Sequence, residues 1–468
     1  MYLVSSIINR LYKIGLLSTM LIGCLQVIGQ DNSPYSRYGL GDLVPNQNIA
    51  NRGMGGISIG YADYGLLGTP FNINTINPAS LGNISNTKNF SNTIFDIGSE
   101  VDFRTLKSNT SAAKFSAKNA VISYMQIAFP VSTKKMERKG TFWGVNLGLR
   151  PISRINYKIQ QNYRDNNTDS LLTVYEGSGG LNQINLSTGI KKTGNGKRKN
   201  EVAFGLSSGI NFGTKDYSTK IGFINDTVQY YRSNYEVKSR FYGSFLNLGL
   251  QYKMHFINAG ILRVGAIANF QQHLIAKQNT INETFGYDYN GGEVRIDSVQ
   301  YTNDVKGTVI FPSSYGFGFT YQSKNKQWLL GADYELTNWN SYKYYGNQEN
   351  THNNWTIRLG AEYYPAKSNG VNKKFSDYIK YRTGFYFGPD YIILNGNKRD
   401  NFAFTGGFSL PLTTPRYIQS RGEYVTLSTS FEIGSKTNNQ SNSIKENYSR
   451  INIGVSMNAR WFQKRSYD

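Results

Sequence analysis

"RINIGVSMNARWF", residues 450–462, decides how this chain is read. Ile451, Ile453, Val455, Met457, Ala459 and Trp461 fall on one side of a two-residue period. Asn452, Gly454, Ser456, Asn458 and Arg460 fall on the other. A period of two puts the two sets on opposite faces of an extended strand. The same alternation runs through "FWGVNLGL" (142–149), "EVAFGLSSGINF" (201–212), "WTIRLGAEYY" (355–364), "NFAFTGGFSL" (401–410) and "YVTLSTSF" (424–431).

About fourteen such segments can be counted, near 90–104, 112–129, 141–160, 171–191, 201–221, 235–254, 261–280, 305–321, 327–339, 353–364, 379–389, 401–411, 424–434 and 448–462. Polar connections separate them, such as "KTGNGKRKN" (192–200) and "SKTNNQSNS" (435–443), with longer polar loops expected near 161–170 and 281–304. The chain holds 35 Tyr, 26 Phe and 48 Gly, yet its mean hydropathy is −0.46. No stretch after residue 30 approaches the roughly 20 apolar residues of a membrane helix. An even number of alternating strands separated by turn residues is the pattern of an outer-membrane barrel, which satisfies every backbone group internally.

Aromatic placement points the same way. Trp143, Trp328, Trp339, Trp355 and Trp461 all fall near predicted strand ends, as expected of interfacial girdles. A soluble β-sandwich also alternates, but here the second face stays polar or small through the whole series. The expected fold is all-β: an antiparallel transmembrane β-barrel of about 14 strands.

The N-terminus reads as a secretory signal. Arg10 and Lys13 precede the apolar run "IGLLSTMLIGCLQVIG" (14–29), with Val27 and Gly29 at the −3 and −1 positions of cleavage. Removing residues 1–29 takes two basic residues and no acidic ones, so the net charge of +21 becomes +19. Cys24, the only cysteine, leaves too, and with it any disulfide or thiolate metal site. "LIGC" (21–24) also fits a lipoprotein box with Cys24 as the lipidated residue. The basic residues are scattered, without a nucleic-acid motif. Outer-membrane lipid and lipopolysaccharide phosphates are the expected partners of an exported cationic chain.

Nothing in the sequence assembles a catalytic centre. His255, His273 and His352 lie in "HFI", "HLI" and "HNN", without a nearby serine partner. No H-E-x-x-H, nucleophile elbow or metal cluster occurs, and no cofactor is expected. Asp333, Glu335 and Glu362 fall on predicted lumen faces, where pairing with Arg358 and Arg460 is the simpler role.

One stretch stands apart: "RGMGGISIGYADYGLLGTPFNINTINPASL" (52–81), glycine-rich and almost uncharged. "GMGGIS" (53–58) has Ser58 where a dinucleotide loop needs its third glycine, and no strand precedes it. The alternative is a plug, because a barrel of this size has a lumen wide enough to need filling.

Arg52, Gly53, Gly55 and Gly56, with Asn77-Pro78-Ala79-Ser80-Leu81, resemble the N-terminal hatch signature of the FadL-type (FadL/TodX-like) outer-membrane transporters of hydrophobic compounds. "FPSSYGFGFTYQSKNKQWLLGADYELTNWNSY" (311–342) is similar to a second family element through Pro312, Gly316, Tyr321, Asp333, Tyr334, Trp339 and Ser341, with Asn340 intervening. "RTGFYF…DNFAFTGGFSL" (382–410) is a third. The resemblance implies a signal peptide (1–29), a hatch (30–88) and a fourteen-stranded barrel (89–468).

The resemblance also implies a kinked third strand that opens sideways to the membrane. "GLRPIS" (148–153) supplies Gly148 and Pro151 for it, and a proline inside an alternating run cannot donate to the ladder. The implied function is passive uptake of hydrophobic molecules such as long-chain fatty acids, captured in the lumen and released sideways. The implied setting is the outer membrane of a Gram-negative bacterium, the Bacteroidetes type being one option, with the protein as a monomer. The alternative is a FadL-like accessory barrel of type IX secretion, of the PorV kind, which holds secreted proteins at the surface. A pocket continuous with a wall gap favours the first; a filled lumen with large projecting loops favours the second.

Overall fold

The computed structural model describes residues 33–63, 71–84, 93–108, 114–164, 169–196, 198–224, 230–256, 259–366, 374–394, 396–413, 423–438 and 444–459. The expected signal peptide, Cys24, Arg460 and Trp461 lie outside them. Fourteen antiparallel strands close on themselves. They are β1 (Thr93–Ser108), β2 (Lys114–Pro130), β3 (Thr141–Arg164), β4 (Ser170–Thr193), β5 (Glu201–Phe223), β6 (Arg232–Phe256) and β7 (Gly260–Asn269 with Gln272–Tyr287). Then follow β8 (Glu293–Phe311 with Ser314–Ser323), β9 (Trp328–Thr337), β10 (Asn354–Tyr363), β11 (Lys380–Leu394), β12 (Asn397–Pro411), β13 (Tyr424–Thr437) and β14 (Ile444–Ala459). β14 seals the ring by pairing along β1, with Gly454 opposite Gly98.

Two of these strands are broken once. Both parts of β7 pair with β6, and the parts of β8 pair in turn with those of β7. The break in β8 falls at Pro312, which has no N–H for the ladder.

The wall is inside out relative to a soluble protein. Phe317 is 67% exposed, and Leu186, Phe204, Phe404 and Ile433 likewise point away from the ring. Asn452 is 0% exposed, and Asp96, Asn211, Lys380, Arg382 and Glu432 share its buried inner face. A packed soluble core would bury the first set and solvate the second; a lipid-facing barrel does the reverse.

The hairpins at one end outgrow what the pattern implies. Of the segments expected as long polar loops, 161–164 and Ser170 are strand and so is most of 281–304, while 165–168 lie outside the described residues. β3 and β4 pair out to Arg164 opposite Ser170, and β7 and β8 out to Tyr287 opposite Glu293. Residues 293–306 are exposed along both faces, so they carry no alternation for a sequence reading to detect. β3 to β6 run 23 to 25 residues each, whereas β9 and β10 have 10. Six strands, β3 to β8, thus form a tall wall over one side of the barrel's far end. The near end is where β1 begins and β14 ends.

Trp143, Trp328 and Trp355 sit near strand ends as expected. Trp339 does not join a girdle. It is 2% exposed and stacks on Tyr391 with centroids 4.1 Å apart, in a cluster with Tyr35, Leu40 and Tyr342.

Residues 33–63 and 71–84 pack on the inner face, and the wall meets them with glycine. A Cβ on Gly144 would come within 2.3 Å of Leu81 O, on Gly205 within 2.1 Å of Ala79 N, and on Gly265 within 2.1 Å of Ile59 O. On Gly360 it would come within 2.2 Å of Met54 O, and on Gly384 within 2.2 Å of Gly55 N. Several of these glycines are register partners: Gly144 with Gly189, Gly189 with Gly205, Gly205 with Gly249, and Gly360 with Gly384. Together they form a belt of bare backbone on which the inner segment rests.

Substitution separates the belt from ordinary wall glycines. Gly205→Val should destabilise the folded barrel by about 1–3 kcal/mol or more through overpacking. Gly406→Ala, whose nearest neighbour would be 3.9 Å away, should shift stability by no more than about 0.5 kcal/mol. Urea midpoints read from heat-modifiable gel mobility check both.

Candidate functional site

The inner segment holds its position through backbone chemistry that its sequence supplies. Asn48 caps the short helix Ile49–Arg52, its side chain accepting from Asn51 N. Gly55 and Gly56 follow at φ +72° and +85°, a left-handed turn that a side chain would strain. Asn77 begins a second turn: its Oδ1 accepts from Ala79 N at 3.1 Å, and Pro78 opens the 3-10 helix Pro78–Asn83. The Asn77 amide also donates to Ile59 O at 2.8 Å and to Leu250 O of β6 at 3.0 Å. One side chain therefore ties both halves of the inner segment to the wall.

Charge makes the second set of ties. Arg52 lies between Glu100 of β1 at 2.6 Å and Glu432 of β13 at 2.5 Å, all three 2% exposed. Arg450 of β14 reaches Glu432 at 3.5 Å and Asp102 at 3.4 Å. Arg104 bridges Asp102 at 2.9 Å and Asp42 of the inner segment at 2.6 Å. Farther round, Asp63 pairs with Lys380, and Arg382 with Glu362 at 2.8 Å. Asp333 takes a structural role, accepting from Ser58 N at 2.6 Å and Ile59 N at 2.8 Å. Glu335 pairs with Arg358 at 2.9 Å.

The wall itself changes at Pro151. β2 pairs with β3 from Pro130 opposite Gly144 to Met125 opposite Leu149, and there the ladder ends. Above it, Lys114–Tyr124 of β2 pair with β1, and the rest of β3 with β4. The register of β3 against β4 shifts between Pro151 and Ser153. The freed edge of β3 is taken from inside. Asp42 and Leu43 pair antiparallel with Arg154 and Ser153, and Val44 N donates to Ile152 O at 2.9 Å. Gly148 lies just below, still in the ladder, where a Cβ would meet Asn185 Oδ1 at 2.7 Å.

A cavity of about 270 Å³ lies beside this break, on the far-end side of the glycine belt. Leu43, Val44, Arg150 and Ile152 border it at the break, and Arg52, Glu335, Arg358, Glu432 and Arg450 line its interior. Arg150 is bonded to neutral partners, donating to Gln183 Oε1 at 2.9 Å and Asn46 O at 3.3 Å. Polar and charged side chains outnumber apolar ones in the lining, with Leu43, Val44, Ile152, Phe311 and Trp339 making up an apolar part.

Arg52, Gly53, Gly55, Gly56, Asn77, Pro78 and Ala79 all lie against the wall, and Gly148 and Pro151 flank the end of the β2–β3 ladder. Sequence reading missed the wall's half of these contacts: Glu100, Asp102, Glu432, Lys380 and the belt glycines. A signal existed in β1, where Asp96, Glu100, Asp102 and Arg104 place charge at alternate positions.

Two measurements test the ties. Arg52→Met leaves Glu100 and Glu432 buried without it and should cost about 3–5 kcal/mol, most of it recovered when both glutamates become glutamine. The second is acidification. Burial pushes the Asp63 carboxyl up, but Lys380 and Arg382 outweigh it and hold it below the usual range. A carboxylate lowered in this way stabilises above its unfolded pKa of about 4, and the stability is lost as pH falls through the folded value. Urea midpoints should therefore drop below about pH 4, and Asp63→Asn should flatten that drop.

The family model BamG matches residues 11–468. No curated protein matches the chain. Among solved structures, a Pseudomonas aeruginosa FadL homologue is similar with a TM-score of 0.53 and 12% identity, over 90% of this chain and 100% of that one. A deltaS2S3 mutant of the TodX monoaromatic hydrocarbon channel is similar with a TM-score of 0.50 and 14% identity, over 88% and 99%. At such identities the likeness is one of fold, so the FadL-type resemblance holds for the architecture. With a family model matched along nearly its whole length, the chain belongs to the BamG family.

Proposed function

We propose that this protein is an outer-membrane barrel that takes up amphiphilic or hydrophobic molecules from the far end and releases them sideways between β2 and β3. The far end is assigned to the cell exterior because the long hairpins rise there. The end of the β2–β3 ladder at Pro151 carries the reading. A membrane barrel ordinarily pairs every strand edge, so an interrupted ladder beside a lumen cavity is an opening rather than an accident of packing. Below the cavity the inner segment rests on the glycine belt, which favours a sideways exit over one straight through. The polar lining favours a cargo with a polar head, such as a long-chain fatty acid, whose tail leaves into lipid while the head stays solvated among Arg150, Arg358 and Arg450.

Pro151→Thr restores a ladder donor and should slow uptake of a fluorescent long-chain fatty acid severalfold in cells that depend on this protein. Unchanged uptake, together with no lipid retained by the purified barrel in native mass spectrometry, would remove the reading.

A second reading, a FadL-like accessory barrel that holds secreted proteins at the surface, is favoured by the tall wall of β3 to β8 and by the tightly pinned lumen. Under it, trimming the β7–β8 hairpin between Thr280 and Asp304 abolishes surface retention of a secreted protein and leaves fatty-acid uptake intact. Under the first reading, the trimmed protein retains its secreted proteins normally.

A further inference from the structure

The tall wall carries a second chamber, of about 400 Å³, on its inner side above the wall break. Its floor is aromatic. Tyr157 of β3 lies opposite Gly177 of β4, and Gly177 lies opposite Tyr217 of β5. A Cβ at Gly177 would stand 2.2 Å from Cε1 of Tyr157, so the Tyr157 ring lies across the strand where the glycine leaves room. Tyr175, two residues along the same face, has the Arg37 guanidinium 4.8 Å above its ring. Opposite the floor stands the β9–β10 connection. Glu349 fixes it there, accepting from Gly39 N at 2.6 Å and from Lys215 Nζ at 2.8 Å. The chamber is therefore built from three parts of the chain held together by a charge pair.

Its lining is selective in kind. Tyr157, Tyr175, Tyr217, Thr219, Gln348 and Asn350 are among its lining residues. Among the described residues, no Leu, Ile, Val, Met or Phe lines it. A pocket for a hydrocarbon chain is lined mainly by such side chains. Of the two cations in the lining, Lys215 is paired with Glu349, while Arg37, over the Tyr175 ring, keeps its guanidinium N–H groups. A sugar matches this set: its C–H face stacks on an aromatic ring while its hydroxyls bond to amides, a hydroxyl and a guanidinium at the edge.

We propose that this chamber at the outer mouth is a carbohydrate-binding site for a short oligosaccharide, with Tyr157 and Tyr217 as the stacking rings and Arg37, held over Tyr175, as a hydroxyl donor at the edge. The site is separate from the polar cavity at the wall break and does not rest on the uptake reading. Surface lipopolysaccharide and free glycans offer the same chemistry, and the probes distinguish them.

The detergent-purified full-length barrel is titrated by calorimetry and by saturation-transfer NMR with three saccharides: maltohexaose, chitotriose and core oligosaccharide released from lipopolysaccharide. Saturable binding of at least one is expected, with saturation passing to its ring protons. Preference for the core oligosaccharide identifies the lipopolysaccharide source, and preference for either of the others a free glycan. Tyr217→Ala should weaken binding about tenfold, and Tyr217→Phe should stay within about twofold, because the ring rather than the hydroxyl carries the stacking. Gly177→Ala, which displaces the Tyr157 ring, should weaken binding without touching a ligand contact directly. Heat-modifiable mobility confirms that each variant is folded. No saturable binding of any of the three saccharides, equal binding by folded Tyr217→Ala, or displacement of bound saccharide by decanoate overturns the proposal.

Discussion

Backbone pressed against backbone is the contact on which this structure depends. The inner face of the barrel carries ionised side chains at alternate positions along several strands, and alone they would leave a polar lumen of uncompensated charge. The inner segment solves this in two ways at once. Its main chain reaches the wall where Gly144, Gly205, Gly265, Gly360 and Gly384 have no side chain, so it fills volume at van der Waals distance. At that distance its charged side chains fall within reach of the wall's. Arg52 is the clearest case, inserted between two carboxylates that come from strands on either side of β14. Buried charge of this kind is tolerated only when paired and hydrogen-bonded, so the fit of the glycines and the pairing of the charges require each other.

The same accounting explains the wall break. A strand edge left open within a bilayer is costly, because its N–H and C=O groups find no water. β3 is the strand that parts from its neighbour, and the inner segment supplies the missing partner over Asp42–Val44. Asp42 is held in turn by Arg104 and Lys436, so the short strand is tied both to the edge it covers and to β1 and β13. The interrupted ladder is tolerated here because an element inside the barrel takes over part of it.

The outline of this fold was legible because lipid and lumen impose opposite demands on neighbouring residues. In 450–462 the exposed Ile451 and Met457 and the buried Asn452 and Ser456 fall on the faces that alternation assigns. Pro151 has no donor to give: the β2–β3 pairing stops at Leu149, two residues before it, while pairing with β4 continues past it with a register shift. The projecting hairpins were not legible, since a strand solvated on both faces has no period to read. Trp339 misled because a tryptophan near a strand end fits both an interfacial girdle and a buried cluster, and only tertiary packing against Tyr391 separates them. The belt glycines were visible, but their importance was not. Nothing local distinguishes Gly205, which receives Ala79, from Gly406, which receives nothing.

The two chambers divide the lumen by chemistry as well as by depth. At the wall break the lining is ionic, and its arginines share carboxylates with the inner segment. Higher up it is aromatic, with Lys215 paired to Glu349 and Arg37 held over Tyr175. Both chambers are bounded by the same stretch of the inner segment: Arg37 and Tyr38 border the upper one, and Leu43 and Val44 the lower. Only a few residues separate those borders, and Asp42 is pinned between them. A shift of the short strand along the edge of β3 would therefore alter both chambers together.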